Sequence, residues 1–119
     1  MGDKHAMLSI YHNPRCSKSR ETLRLLRDEG HDPRVIEYLK EPPTAAQLRE
    51  IVRMLGGDAH RIVRSKEPAY AAAGLSRDST DEEIIRAIVE NPILLERPIV
   101  INRGKAALGR PPEQVLEIL

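Results

Sequence analysis

Leu8 and Ile10 share one face of the stretch MLSIY, a period of two that predicts a strand over residues 7–11. Asn13-Pro14 punctuates it, because proline fixes its own φ and offers no ladder donor. The period then changes: Thr22, Leu25 and Leu26 recur at helical spacing, predicting a helix over 17–29 with Gly30 as its stop. Residues 35–39 (VIEYL) read as a second strand, parallel to the first across a right-handed crossover. Two capping boxes follow. Thr44 with Gln47 precedes the face Leu48, Ile51, Val52 and Leu55, ended by Gly56-Gly57. Thr80 with Glu83 precedes Ile84, Ile85, Ala87 and Ile88, closed by Asn91-Pro92. Between them, 58–65 suggests a short helix and 68–73 another turn or two, so 44–92 reads as helical with no clear strand signal. Strand character returns at 99–101, Asn102-Arg103-Gly104 supplies turn chemistry, and 105–108 pairs back as a hairpin. Pro111 opens a last helix with Val115, Leu116, Ile118 and Leu119 as its expected buried face.

The order β-α-β, helical insertion, β-β-α predicts an α/β fold, a four-stranded mixed sheet covered by helices. At 119 residues the expectation is a single domain over 7–119, its core about 7–43 and 93–119 and its insertion about 44–92. Residues 1–6 read as a disordered leader or added residues. The chain has no Trp or Phe, so Leu, Ile, Val, Ala and Met must build the core. Nineteen Lys and Arg against 18 Asp and Glu argue against broad nucleic-acid or anionic-membrane binding, though not against a local arginine cluster. No apolar run approaches the roughly 20 residues that span a bilayer, and the N-terminus has no apolar signal core, so the expected location is cytoplasmic.

A single cysteine excludes an internal disulfide framework. Cys16 falls where the first helix begins. Unpaired N–H groups and the positive end of the helix dipole there favour the thiolate, the nucleophilic form. On that helix Ser19 and Arg20 are three and four residues on, within reach of the sulfur or of an anion beside it. Free cysteines are more often inert small hydrophobes, but Pro, Arg, Ser and Lys surround this one. Cys-Ser-Lys-Ser also has the spacing of a dithiol motif without its second sulfur. Serine cannot resolve a sulfur-linked intermediate, so an outside thiol must finish any reaction that Cys16 starts.

The segments IYHNPRCSKSRETLRLLRDEG, EYLKEPPT and NPILLERPIVINRGKAALGRPPEQVLEIL together resemble the glutaredoxin-coupled arsenate reductases, collinearly from about Met7 to the C-terminus. The resemblance implies a thioredoxin-like fold with a helical insertion. It also implies reduction of arsenate to arsenite with glutathione as co-substrate, glutaredoxin as partner, and no bound cofactor. It makes Cys16 the nucleophile and His12 a residue that influences the thiol. It places the oxyanion-binding arginines at Arg64, Arg97 and Arg110, and the cis proline of such folds at Pro98. Arginine suits a tetrahedral dianion because its planar fork stays protonated.

Each residue also has a plainer reading. Arg64 fits equally a solvated helix arginine, Arg97 and Arg110 loop cations, and His12 a hydrogen-bond donor to the turn. His5, His31 and His60 lack ligand spacing, so no metal site is expected. Asp81, Glu82 and Glu83 complement a helix dipole. Two rival functions share this pattern: a redox-linked regulator binding RNA polymerase, which would use a Cys-x-x-Cys switch, and a monothiol glutaredoxin-like protein acting on glutathione adducts.

Overall fold

The structure, a computed structural model, describes residues 8–119; the expectation for residues 1–6 lies outside them. The chain divides into two compact units, one of the segment up to Glu41 with Arg97–Leu119, the other Pro42–Glu96.

The first unit carries the sheet. Strands β1 (Leu8–His12), β2 (Arg34–Glu37), β3 (Ile99–Asn102) and β4 (Lys105–Leu108) lie in the order β2-β1-β3-β4. β1 and β2 are parallel, while β1/β3 and β3/β4 are antiparallel. The register explains the alternation in the sequence. Val35, Ile10, Val100 and Ala107 form one row across the four strands, and Ile36, Tyr11, Ile99 and Leu108 form the neighbouring row, on the opposite face. Leu26 from helix α1 (Ser17–Asp28) and Val115 complete the buried cluster around Leu8, Ile10 and Val100. The β3–β4 turn holds Arg103 and Gly104 both at positive φ, the geometry that matches strand twist in a two-residue hairpin.

α1 stops as its sequence predicts. Gly30 takes φ +87°, its N–H donates to Arg27 O, and His31 N–H donates to Leu26 O, the paired bonds of a Schellman end.

Two expectations are corrected in this unit. β2 ends at Glu37, not at residue 39, because its partner β1 ends at His12 where Asn13-Pro14 leaves the sheet. Lys40 and Glu41 N–H groups then close a turn on Glu37 O; Tyr38 is buried and Leu39 exposed. The last helix is a 3₁₀ helix, Pro112–Ile118, with Pro111 before it. Three residues per turn put Pro112, Val115 and Ile118 on the inner face and turn Leu116 and Leu119 outward.

The second unit holds helices α2 (Ala45–Met54), α3 (Pro68–Ala72) and α4 (Asp81–Glu90). Both capping boxes form: Gln47 N–H donates to Thr44 Oγ1 and Glu83 N–H to Thr80 Oγ1, each at 3.1 Å, with the reciprocal bonds present. Leu48, Ile51, Val52 and Leu55 meet Ile84, Ile85, Ala87 and Ile88 in its core, with Ala59, Ile62, Leu94 and Leu95. The expected helix at 58–65 contracts to a 3₁₀ turn, Ala59–Ile62, and a second such turn, Pro92–Leu94, follows Asn91. A single antiparallel bridge, Val63 to Leu95, is this unit's β pairing among the described residues.

Candidate active site

Cys16 is the N-cap of α1, in extended backbone at φ −94°, ψ 123°. Its loop is fixed from three sides. Cys16 N–H donates to Asn13 O at 3.0 Å, Arg15 N–H to Asn13 Oδ1 at 2.9 Å, and Asn13 N–H to Ser19 Oγ at 3.0 Å. Asn-Pro supplied the turn signal in the sequence, but not Asn13's role as hub of these bonds; the side-chain turn that Asn favours two residues on was the available clue.

Burial, the largest influence on the Cys16 thiol, acts to raise its pKa. Opposing contributions outweigh it: a hydrogen bond from Arg97, the Ser19 N–H, the Arg97 charge and the Lys18 N–H together hold the thiol below its ordinary value. The cysteine makes no formal side-chain cap bond, so these amides act by favouring the ionised sulfur.

The neighbouring side chains divide differently from the sequence expectation. Ser19 meets the sulfur through its backbone N–H alone. Its hydroxyl is buried, 2.7 Å from His12 Nδ1, besides accepting the Asn13 N–H. Arg20 turns its guanidinium to the Pro14 carbonyl at 3.0 Å, bracing the loop. Burial, partly offset by Glu37, holds His12 below the usual imidazole value, so its ring is neutral at pH 7. Ser19 Oγ thus links His12 Nδ1 to the Asn13 N–H, and Asn13 O in turn accepts the Cys16 N–H. Ser19→Ala would leave His12 Nδ1 and the Asn13 N–H without this partner. We expect a loss of about 1–3 kcal/mol in stability, read by urea unfolding.

Arg97 and Arg110 share the sheet-bearing unit with Cys16. Arg110 Nη1 donates to Arg97 O at 3.1 Å, and the Arg97–Pro98 bond is cis, with Pro98 buried. The Arg110–Pro111 bond is cis as well, which the sequence reading did not anticipate. Gly109, also missed, joins these pieces. Its N–H donates to Pro98 O at 3.0 Å, and a Cβ there would meet Thr22 Oγ1 at 2.5 Å and Pro98 Cγ at 2.6 Å. The constraint is close approach of α1 and the Pro98 loop. Gly109→Ala should cost about 1–3 kcal/mol by overpacking, seen as a lower urea midpoint.

Arg64 belongs to the other unit. Its N–H donates to Leu94 O at 2.7 Å, and its guanidinium is ion-paired with Glu67, with Glu96 3.9 Å from Nε. Glu67 follows Arg64 at i+3, a pairing visible in the sequence but not singled out there. Among the described residues no group of three His, Cys, Asp or Glu side chains is arranged to hold a metal ion, and no helix is long and apolar enough to cross a membrane.

The four-stranded mixed sheet and its flanking helices form a thioredoxin-like fold, the class the resemblance implied. The model of the ArsC family matches residues 11–118, and the chain belongs to that family. It is 54% identical over 114 residues to the uncharacterized protein YfgD of Escherichia coli K12, covering 94% of this chain and 96% of that one. An arsenate reductase of Haemophilus influenzae is 47% identical over 112 residues, covering 92% and 97%. The solved structure of an arsenate reductase from Vibrio cholerae matches with TM-score 0.90 and 46% identity, covering 94% and 97%.

Proposed function

We propose that this chain reduces arsenate to arsenite, with Cys16 as nucleophile and glutathione and glutaredoxin as the electron source. The observation that carries this reading is the Cys16 sulfur at a helix N-terminus, beside Arg97 and two backbone N–H groups that favour its thiolate. Relatives named arsenate reductases, similar along nearly their whole length, support the substrate.

In this reading Arg97 and Arg110 bind the oxyanion and offset its repulsion of the thiolate. Arg64 is assigned as the third arginine on the resemblance. Cys16 Sγ forms a bond to arsenic, and one oxygen leaves as water with protons from solvent. A glutathione thiolate displaces a second oxygen in the same way. Glutaredoxin's thiolate then attacks the glutathione sulfur: a disulfide forms, the sulfur–arsenic bond breaks, and its electron pair reduces As(V) to As(III). Water releases arsenite and returns the Cys16 thiol. The electrons come from thiols, so no bound cofactor is needed, and the reducing cytoplasm would supply both reductants.

The test is NADPH oxidation in the presence of arsenate, glutathione, glutaredoxin and glutathione reductase. Oxidation that depends on arsenate, glutaredoxin and this protein is expected. Its absence with folded wild-type protein would sink the reading.

A further inference from the structure

The Arg64 guanidinium already holds an anion. Its backbone is fixed by the Val63–Leu95 bridge and by the bonds from Arg64 N–H to Leu94 O and from Glu96 N–H to Ile62 O, both 2.7 Å. Its side chain is only 26% exposed, and its carboxylate partners are similarly sheltered: Glu67 (21%) is in contact with Nη1, and Glu96 (23%) lies near Nε. The Glu67 carboxylate offsets the Arg64 charge directly, and Glu96 adds negative charge from 3.9 Å. A guanidinium so surrounded attracts a dianion poorly until a carboxylate gives way.

We propose that Glu67 is the resident counter-anion of Arg64, a specificity-determining residue that a tetrahedral oxyanion must displace. This rests on the assignment of Arg64 to the oxyanion made above. Glu67 sets a threshold: an anion accepting two charge-assisted N–H bonds can compete with it, whereas a weaker acceptor cannot. Glu67 precedes α3 without a side-chain capping bond, so its carboxylate is not committed to the helix end.

Glu67→Gln keeps the shape and removes the charge. The Michaelis constant for arsenate should fall about threefold to tenfold, the scale of a partly sheltered ion pair, with kcat within about twofold. Competitive inhibition by inorganic phosphate should tighten by a similar factor. A substitution that merely damages the fold would weaken binding, so the expected sign is itself diagnostic. Glu67→Ala should act in the same direction. In an Arg64→Ala background the Glu67→Gln effect should vanish.

An unchanged or raised Michaelis constant in folded Glu67→Gln and Glu67→Ala would overturn the proposal, as would an equal fall in the Arg64→Ala background. If the wild type turns over arsenate while the variants show no gain, only this inference fails. If the wild type does not turn over, the proposed function fails, and calorimetric titration with phosphate decides the role of Glu67 alone.

Discussion

Cys16→Ser should abolish arsenate turnover while leaving the fold at least as stable as the wild type. The two halves of this expectation have separate causes. A serine hydroxyl is almost wholly protonated at pH 7, and the amides and guanidinium that draw a thiol toward ionisation cannot bring it into that range. The fall in kcat should be about 10³-fold or more, since removing a nucleophile removes the covalent route itself. Stability should run the other way. Cys16 occupies the N-cap of α1 without a formal capping bond, and serine is among the preferred N-cap residues because its oxygen accepts from the N2 or N3 amide. Those amides belong to Lys18 and Ser19, the ones that face the sulfur. The coupled NADPH assay together with urea unfolding checks both. Robust turnover by the serine variant would remove Cys16 from the mechanism. A loss of activity with a collapsed unfolding transition would show that the residue matters for folding instead.

How much of this could be read from the chain depends on how local the cause is. The capping boxes at Thr44 and Thr80, the helix stop at Gly30 and the place of Cys16 at a helix start each follow from contacts spanning three to six residues, and all stand in the structure. The sheet rows followed from a period of two. Side-chain direction was less legible. Helical spacing put Ser19 and Arg20 on the Cys16 face, yet the Ser19 hydroxyl turns inward to His12, and Arg20 turns back to Pro14. Spacing gives a face, not a partner, and the partner of Ser19 lies on β1. The need for glycine at 109 was hidden for a related reason. Its neighbours Thr22 and Pro98 are distant in sequence, and no unusual φ marks the position. The final helix misled because the α-helical period was assumed where the chain takes three residues per turn.

The proposed reaction gives Arg97 two separable tasks, and two substitutions divide them. It donates a hydrogen bond to the Cys16 sulfur and adds a positive charge beside it, both lowering the thiol pKa. In the proposed reaction it also presents a planar fork to the oxyanion. Arg97→Gln removes the charge and the fork, so the thiol should return toward its ordinary value. Iodoacetamide alkylation of Cys16, followed against pH, should then need a higher pH to reach its plateau. Arsenate kcat/KM should fall about 10²–10³-fold, the usual cost of one preorganised donor at a developing charge. Arg97→Lys keeps a charge without the fork. Its alkylation profile should lie between wild type and Arg97→Gln, while its kcat/KM stays close to that of Arg97→Gln. The linkage has a definite sign. A thiol whose folded pKa is depressed adds stability that is fully present above the unfolded thiol pKa, near 8.5, and is lost as pH falls through the folded value. The pH dependence of the urea midpoint from neutral to alkaline conditions should therefore be shallower in Arg97→Gln than in wild type, once the other titrating groups cancel between the two proteins. If Arg97→Gln leaves the alkylation profile and the midpoint unchanged, the guanidinium is not what ionises Cys16. If Arg97→Lys retains full turnover, charge alone serves the oxyanion and the planar fork is unnecessary.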